Sequence, residues 1–266
     1  MATQKKKTAA AGEAGTFPHK HLTSIAPLSA QDINLILDRA DRYADQLAGN
    51  PAWKADVLYG RTVLIAFFEN STRTRVSFEM AAKKLGADVI NLDIDTSSVS
   101  KGESLMDTVT TLDAMRPNAL IIRHKEYGAP EYIAKHVKCA VVNAGDSWRE
   151  HPTQALLDAL TIRRAKGKIE DLTVAICGDI AHSRVAGSNI ALLSKLGAKI
   201  RVIAPSFLMP EKFDYQGIET FTSMEDGLPG CDIVMMLRNQ KERMDAKSIP
   251  DDETFFRRYG LTAQRL

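Results

Sequence analysis

Residues 63–86, VLIAFFENSTRTRVSFEMAAKKLG, are the stretch on which the rest of this chain converges. The apolar run 63–68 breaks at Glu69-Asn70 and passes at once into Ser71-Thr72-Arg73-Thr74-Arg75. Val76, Met80 and Leu85 then recur at helical spacing. That order predicts strand, tight turn, helix. The first turn of a helix has backbone N–H groups without intrahelical partners and a partial positive charge, so it can seat a phosphate. Two hydroxyls, on Ser71 and Thr72, and two guanidinium groups, on Arg73 and Arg75, are added at that point. Cations beside a helix N-terminus oppose the macrodipole unless an anion sits there, so an anion seat explains the run better than a plain serine cap does.

The 266 residues allow two ordinary domains with ample core. A formal charge of +2 is too near balance for a nucleic-acid footprint, so any positive field must be local. Cys139, Cys177 and Cys231 lie in or beside apolar runs and form no C-x-x-C pair, which fits a reducing compartment and gives no zinc site. No stretch approaches the roughly 20 apolar residues needed to span a bilayer, and no apolar leader follows Met1. These features predict a cytoplasmic protein with no membrane or nucleic-acid partner.

Residues 1–20 combine a lysine triplet with small residues and read as a disordered tail. A helix is expected from Ser29, with Ile33, Ile36, Leu37, Ala40, Tyr43, Ala44 and Leu47 on one face and a stop at Gly49-Asn50-Pro51. Strands are predicted at 88–92, 119–123 and 140–143, with helices at 105–115 and 128–137. A long helix follows at 153–165, with Pro152 in its first turn, and then strands at 172–177, 199–204, 218–221 and 233–237 and a helix at 184–196 ended by Gly197. Short apolar strands alternating with helices imply an α/β fold of two doubly wound, Rossmann-like parallel sheets, with a boundary near residues 145–150. Ligands should then lie beyond the carboxyl ends of the strands.

Phe67-x-Glu69-x-Ser71-Thr72-Arg73-Thr74 resembles the carbamoyl-phosphate signature of the aspartate and ornithine carbamoyltransferases, and Glu69 resembles the aspartate branch, where the ornithine branch usually has lysine. The likeness continues through Ser97-Ser98-Val99-Ser100-Lys101-Gly102-Glu103, His151-Pro152-Thr153-Gln154, His182-Ser183-Arg184 and Arg238-x-Gln240. It implies a carbamoyl-phosphate-binding domain over 21–150 and an aspartate-binding domain over 151–266. The implied reaction is carbamoyl transfer to L-aspartate, the committed step of de novo pyrimidine synthesis, with no cofactor and no metal. Ser71, Thr72, Arg73 and Thr74 would hold the phosphate. Thr74, Arg123 and His151 would face the developing oxyanion, with Arg73 joining them as catalytic groups, and Gln154 would accept from the carbamoyl NH2. Because no carboxylate recurs in these motifs except Glu69 and Glu103, each flanking a turn, His151 is expected to donate as a neutral group and the departing phosphate to take the amine proton.

Aspartate carries two carboxylates and needs two cations at fixed separation, preferably arginines, whose fork pairs with a carboxylate bidentately. Arg184 and Arg238 are the candidates, with Gln240 beside them. By resemblance, Ser97, Ser98 and Lys101 sit on a loop that reaches a neighbouring subunit's site, with Lys101 touching aspartate, which implies a homotrimer with shared active sites. A regulatory chain or a dihydroorotase would fit as a further partner. Past residues 259–262 the family pattern continues into another strand, a His-Pro loop and a final helix. This chain stops at Leu266, so the second domain is expected to be incomplete at its C-terminus. Asn239 stands where the family usually has an apolar residue. An ornithine carbamoyltransferase and a non-catalytic assembly subunit stay open as alternatives. A dinucleotide-binding protein is a weaker one, resting on Gly178-Asp179 after a strand.

Overall fold

The computed structural model describes residues 16–92, 94, 102–241 and 251–266. Helix α1 (Ala30–Gly49) starts at Ser29, whose hydroxyl accepts from the Asp32 N–H while the Asp32 carboxylate accepts from the Ser29 N–H. The first sheet follows. It contains β1 (Thr62–Phe67), β2 (Asp88–Leu92), β3 (Ala119–His124) and β4 (Ala140–Asp146), with α2 (Thr72–Lys84), α3 (Leu105–Ala114) and α4 (Ala129–Ala134) as crossovers. All its pairings are parallel, in the order β2-β1-β3-β4.

After α5 (Pro152–Lys166) comes the second sheet, with β5 (Thr173–Cys177), β6 (Lys199–Ile203), β7 (Glu219–Phe221) and β8 (Ile233–Met236). It too is parallel, in the order β7-β6-β5-β8, with α6 (Arg184–Lys195), α7 (Met224–Gly227) and α8 (Asp252–Tyr259) packed around it. The expected strands and the helices before residue 200 appear within a few residues of their sequence positions. Helix α8 lies outside those expectations. Its Tyr259 joins Met224 and Ile203 on one face of the second sheet and donates its hydroxyl to the Thr222 carbonyl at 2.7 Å.

Strand alternation explains the layers. Val63 and Ile65 point to Phe78 and Ala82 of α2, whereas Leu64 and Ala66 point to Val109 of α3 and Ile133 of α4. Each fully buried side chain of this size, such as Ile122, contributes about 1.5–3 kcal/mol. In α2 the periodic apolar residues do not form the buried face: Val76 is 44% and Met80 57% exposed. The helix lies against the edge strand β2, where Asn91 donates to Glu79 at 2.8 Å, and it packs through Phe78 and Ala82 instead. Periodicity announced the helix but not which side faces the sheet.

Helix α1 packs away from the sheet that follows it in the chain. Ile33 and Leu37 share a core with Ala155 and Ala159 of α5, with α6, and with Val174 and Val202 of the second sheet. Arg163 of α5 donates to Asp38 at 2.7 Å, and Arg164 pairs with Asp41 and Asp45. Helix α1 therefore supports the half that begins near residue 151, whereas residues 21–23 bond to β4 of the first sheet. In each sheet the winding reverses beside the first strand, at β1/β3 and at β5/β8, and both crevices open at the carboxyl ends of the strands.

Candidate active site

A cleft of about 870 Å³ runs between the two sheets. From the first half it is lined by Glu69, Asn70, Ser71, Arg73 and Thr74 after β1, by Arg123 and Lys125 at the end of β3, and by Ser147 and Trp148 after β4. His151 just before α5, Gln154 of α5, Ser183, Arg184 and Val185 after β5, and Arg238 and Gln240 after β8 complete it. Nearly all the site residues expected from sequence within the described residues meet here. Thr72 is exposed and does not line the cleft, although as the first residue of α2 its backbone N–H belongs to the free helix end. Ser97, Ser98 and Lys101 lie outside the described residues.

Ser71 is the N-cap of α2, yet its hydroxyl makes no capping bond, and the first turn holds no acidic residue. The helix end thus presents unpaired amides, a hydroxyl and the Arg73 guanidinium to the cleft. Opposite lies a compact ion cluster. One oxygen of Glu69 accepts from Arg123 Nε at 3.0 Å and from both terminal nitrogens of Arg184 at 3.1 Å each. Arg184 also donates to the Ser147 carbonyl at 2.8 Å. Its guanidinium is almost wholly buried, and that burial, together with Arg123, pulls its pKa down while Glu69 counters. Gly145, at φ 138°, gives both arginines room, because a Cβ there would lie 3.1 Å from Arg123 Nη1 and from the Arg184 guanidinium.

His151 precedes Pro152 at the start of α5, and its N–H donates to Ser188 of α6 at 2.8 Å. Burial pushes the imidazole down to about 3, helped by the positive charges of Arg184 and Arg123. It is neutral at ordinary pH, so one ring nitrogen can donate while the other accepts. Gln154, one turn along, directs its NH2 to Asp158 at 2.9 Å.

In the second half, Asp179 staples two loops together. It is fully buried, and it accepts from the His182 N–H, pairs with the His182 ring at 2.9 Å, and accepts from the Gln240 N–H at 3.1 Å. The loop carrying Arg184 is thereby tied to the loop carrying Arg238 and Gln240. Gly178 corrects the dinucleotide idea: a Cβ there would meet the Leu237 carbonyl at 2.5 Å, so the glycine serves the close approach of β8. The sequence reading missed Lys125, Trp148, Ser147 and the roles of Asp158 and Asp179. The first three stand beside residues it did select, and position after a strand end was the only signal for them.

Among the described residues, five cationic side chains, on Arg73, Arg123, Lys125, Arg184 and Arg238, face one carboxylate, Glu69, in the cleft lining. Among the described residues no group of three or more His, Cys, Asp or Glu is placed to hold a metal ion, and no helix is long and apolar enough to cross a membrane. The arrangement suits two polyanionic ligands held side by side. Residues 20–164 match the family model for the aspartate/ornithine carbamoyltransferase, carbamoyl-P binding domain. The aspartate carbamoyltransferase catalytic subunit of Beijerinckia indica is 57% identical over 251 residues, covering 94% of this chain and 79% of the relative. The aspartate transcarbamoylase of Trypanosoma cruzi, solved with carbamoyl aspartate and phosphate, superposes with a TM-score of 0.77 at 32% identity, covering 85% of this chain and 78% of that one. The catalytic subunit of M. jannaschii aspartate transcarbamoylase gives 0.77 at 33%, covering 90% and 78%. Sequence, fold and the placement of the motif residues agree, and the chain belongs to the aspartate/ornithine carbamoyltransferase family, on its aspartate carbamoyltransferase catalytic-subunit branch.

Proposed function

We propose that this protein transfers the carbamoyl group of carbamoyl phosphate to the amino group of L-aspartate, giving N-carbamoyl-L-aspartate and phosphate. The observation that carries the proposal is the charge of the cleft: among the described residues its lining has an excess of four positive charges, in a chain whose total is only +2. Carbamoyl phosphate and an aspartate with a neutral amine together bring about four negative charges. Ornithine would bring a second ammonium, and the one lining carboxylate among the described residues, Glu69, is already engaged by Arg123 and Arg184.

In the reaction the amine nitrogen attacks the carbonyl carbon, the C–N bond forms, the bond from that carbon to the bridging oxygen breaks with the O–P bond kept, and the amine proton leaves with the phosphate. Ser71, Arg73, Thr74 and the amides of α2 hold the phosphate and stabilise it as it departs. Thr74, Arg123 and His151 donate to the carbonyl oxygen as charge grows on it; losing one such donor typically costs about 10²–10³ in rate. Gln154 accepts from the carbamoyl NH2. Arg184, Arg238 and Gln240 clamp the two carboxylates of aspartate. We extend the reading to a cytoplasmic homotrimer at the committed step of pyrimidine synthesis, with Ser97, Ser98 and Lys101 of a neighbouring subunit completing each site. Assay of the purified protein with carbamoyl phosphate and either amine tests the proposal. Ureido product and phosphate are expected with L-aspartate alone; no turnover with aspartate, or equal turnover with ornithine, overturns it.

A further inference from the structure

Gln154 and His151 share one face of α5, and the Gln154 carboxamide is held from behind. Its Nε2 donates to Asp158 Oδ1 at 2.9 Å, one helical turn further on. The other Asp158 oxygen accepts from Asn189 Nδ2 of α6 at 2.8 Å. Asn189 in turn donates to the Val185 carbonyl at 3.0 Å. It is fully buried in the α5–α6 packing, and its Oδ1 has no partner among the described residues. A stranded buried carbonyl is a cost to folding, so an apolar residue would pack this position at least as well. What the asparagine supplies is a donor aimed at Asp158.

The consequence is chemical. A carboxylate only accepts hydrogen bonds, so Gln154 must turn its NH2 toward Asp158. The amide oxygen lies on the other side of the same planar group and is thereby turned away from Asp158, on a residue that lines the cleft. We propose that Asp158, anchored by Asn189, is a positioning residue that fixes the Gln154 carboxamide with its oxygen toward the acyl donor. The site then distinguishes a carbamoyl NH2, which can donate, from the CH3 of an acetyl group, which cannot. This rests on the assignment of Gln154 to the carbamoyl NH2 made above. It adds the source of that specificity, a residue that does not itself touch the substrate.

The test compares carbamoyl phosphate with acetyl phosphate, using inorganic phosphate as the common reference. In the assembled enzyme, Asp158→Ala is expected to raise the KM for carbamoyl phosphate about tenfold, the worth of one good hydrogen bond, while inhibition by acetyl phosphate and by phosphate changes less than about twofold. Gln154→Ala should show the same selective loss, and the double variant should be no worse than Gln154→Ala alone, because the two residues act in series. Asp158→Asn keeps the volume and offers either face of an amide, so it should fold as wild type and show an intermediate preference. Additive losses, or equal losses for both acyl phosphates in Asp158→Asn, overturn the positioning role while leaving Gln154 in place. No change in preference on Gln154→Ala overturns both assignments.

Discussion

His151 is buried and feels the positive charges of Arg184 and Arg123, and this fixes both its chemistry and its pH behaviour. In the fold the imidazole is pushed down to about 3, whereas in the unfolded chain it takes up a proton near 6.5. Between those values the unfolded state binds the extra proton, so this residue leaves stability flat above pH 6.5 and lowers it by about 1.4 kcal/mol for each further unit of acidification. Urea unfolding at pH 7 and pH 5 should differ by about 2 kcal/mol more in wild type than in His151→Asn. Equal differences in the two proteins would contradict a neutral buried imidazole. Glu69 is the other decisive side chain. Glu69→Gln leaves Arg123 and Arg184 packed against Gly145 without a counter-charge. Because Glu69 is partly exposed, the stability loss should be about 2 kcal/mol, below the range for a wholly buried pair. Since Arg184 then keeps the Ser147 carbonyl but loses its ionic partner, the KM for aspartate should rise more than that for carbamoyl phosphate. Steady-state kinetics checks this, and an unchanged aspartate KM would refute it.

Among the elements, β8 and the loop after it show how a glycine can govern a binding residue at a distance. Gly178 follows β5 at φ 118°, and the Leu237 carbonyl passes where a side chain would stand. Gly178→Ala forces either a strained backbone, at about 1–3 kcal/mol, or a shift of the segment that carries Arg238 and Gln240. The expected outcome is a lower Tm and a weaker aspartate response, with phosphate binding at α2 retained. Calorimetry with inorganic phosphate separates the two effects. The strands and most helices were legible because apolar runs, Gly and Pro punctuation and caps such as Ser29 act within a few residues. The buried side of α2 was not, because Val76 and Met80 have the right spacing, and only the position of the edge strand β2 decides that Phe78 and Ala82 face inward.

At the scale of the whole molecule, the cleft joins groups that are far apart in the chain. Glu69 and Arg184 are separated by 115 positions and meet because both sheets end at the same crevice. The proposed trimer adds a further level, and mixing chains tests it. A Lys101→Ala chain and a His151→Ala chain, each with little activity alone, should recover native sites when co-assembled. If each site draws Lys101 from a neighbour, random assembly of equal amounts restores about a quarter of the sites, as cyclic symmetry requires. Mixed trimers with no more activity than their parents would remove the shared-site arrangement.

The amino-acid sequence alone determined the α/β pattern, the helix start at Ser71 with its unpaired amides, and the identity of the cations set at the strand ends. Those features depend on hydrogen bonds and periodicities that close within a turn or a strand. Tertiary structure decided which arginines share Glu69, that His151 is neutral, that α1 supports the second sheet, and that Asp158 and Asn189 stand behind Gln154. The charge state and orientation of a polar group are set by what surrounds it in space. The surroundings of these groups come from different elements of the fold, from Asp158 and Asn189, 31 positions apart, to Glu69 and Arg184, 115 apart.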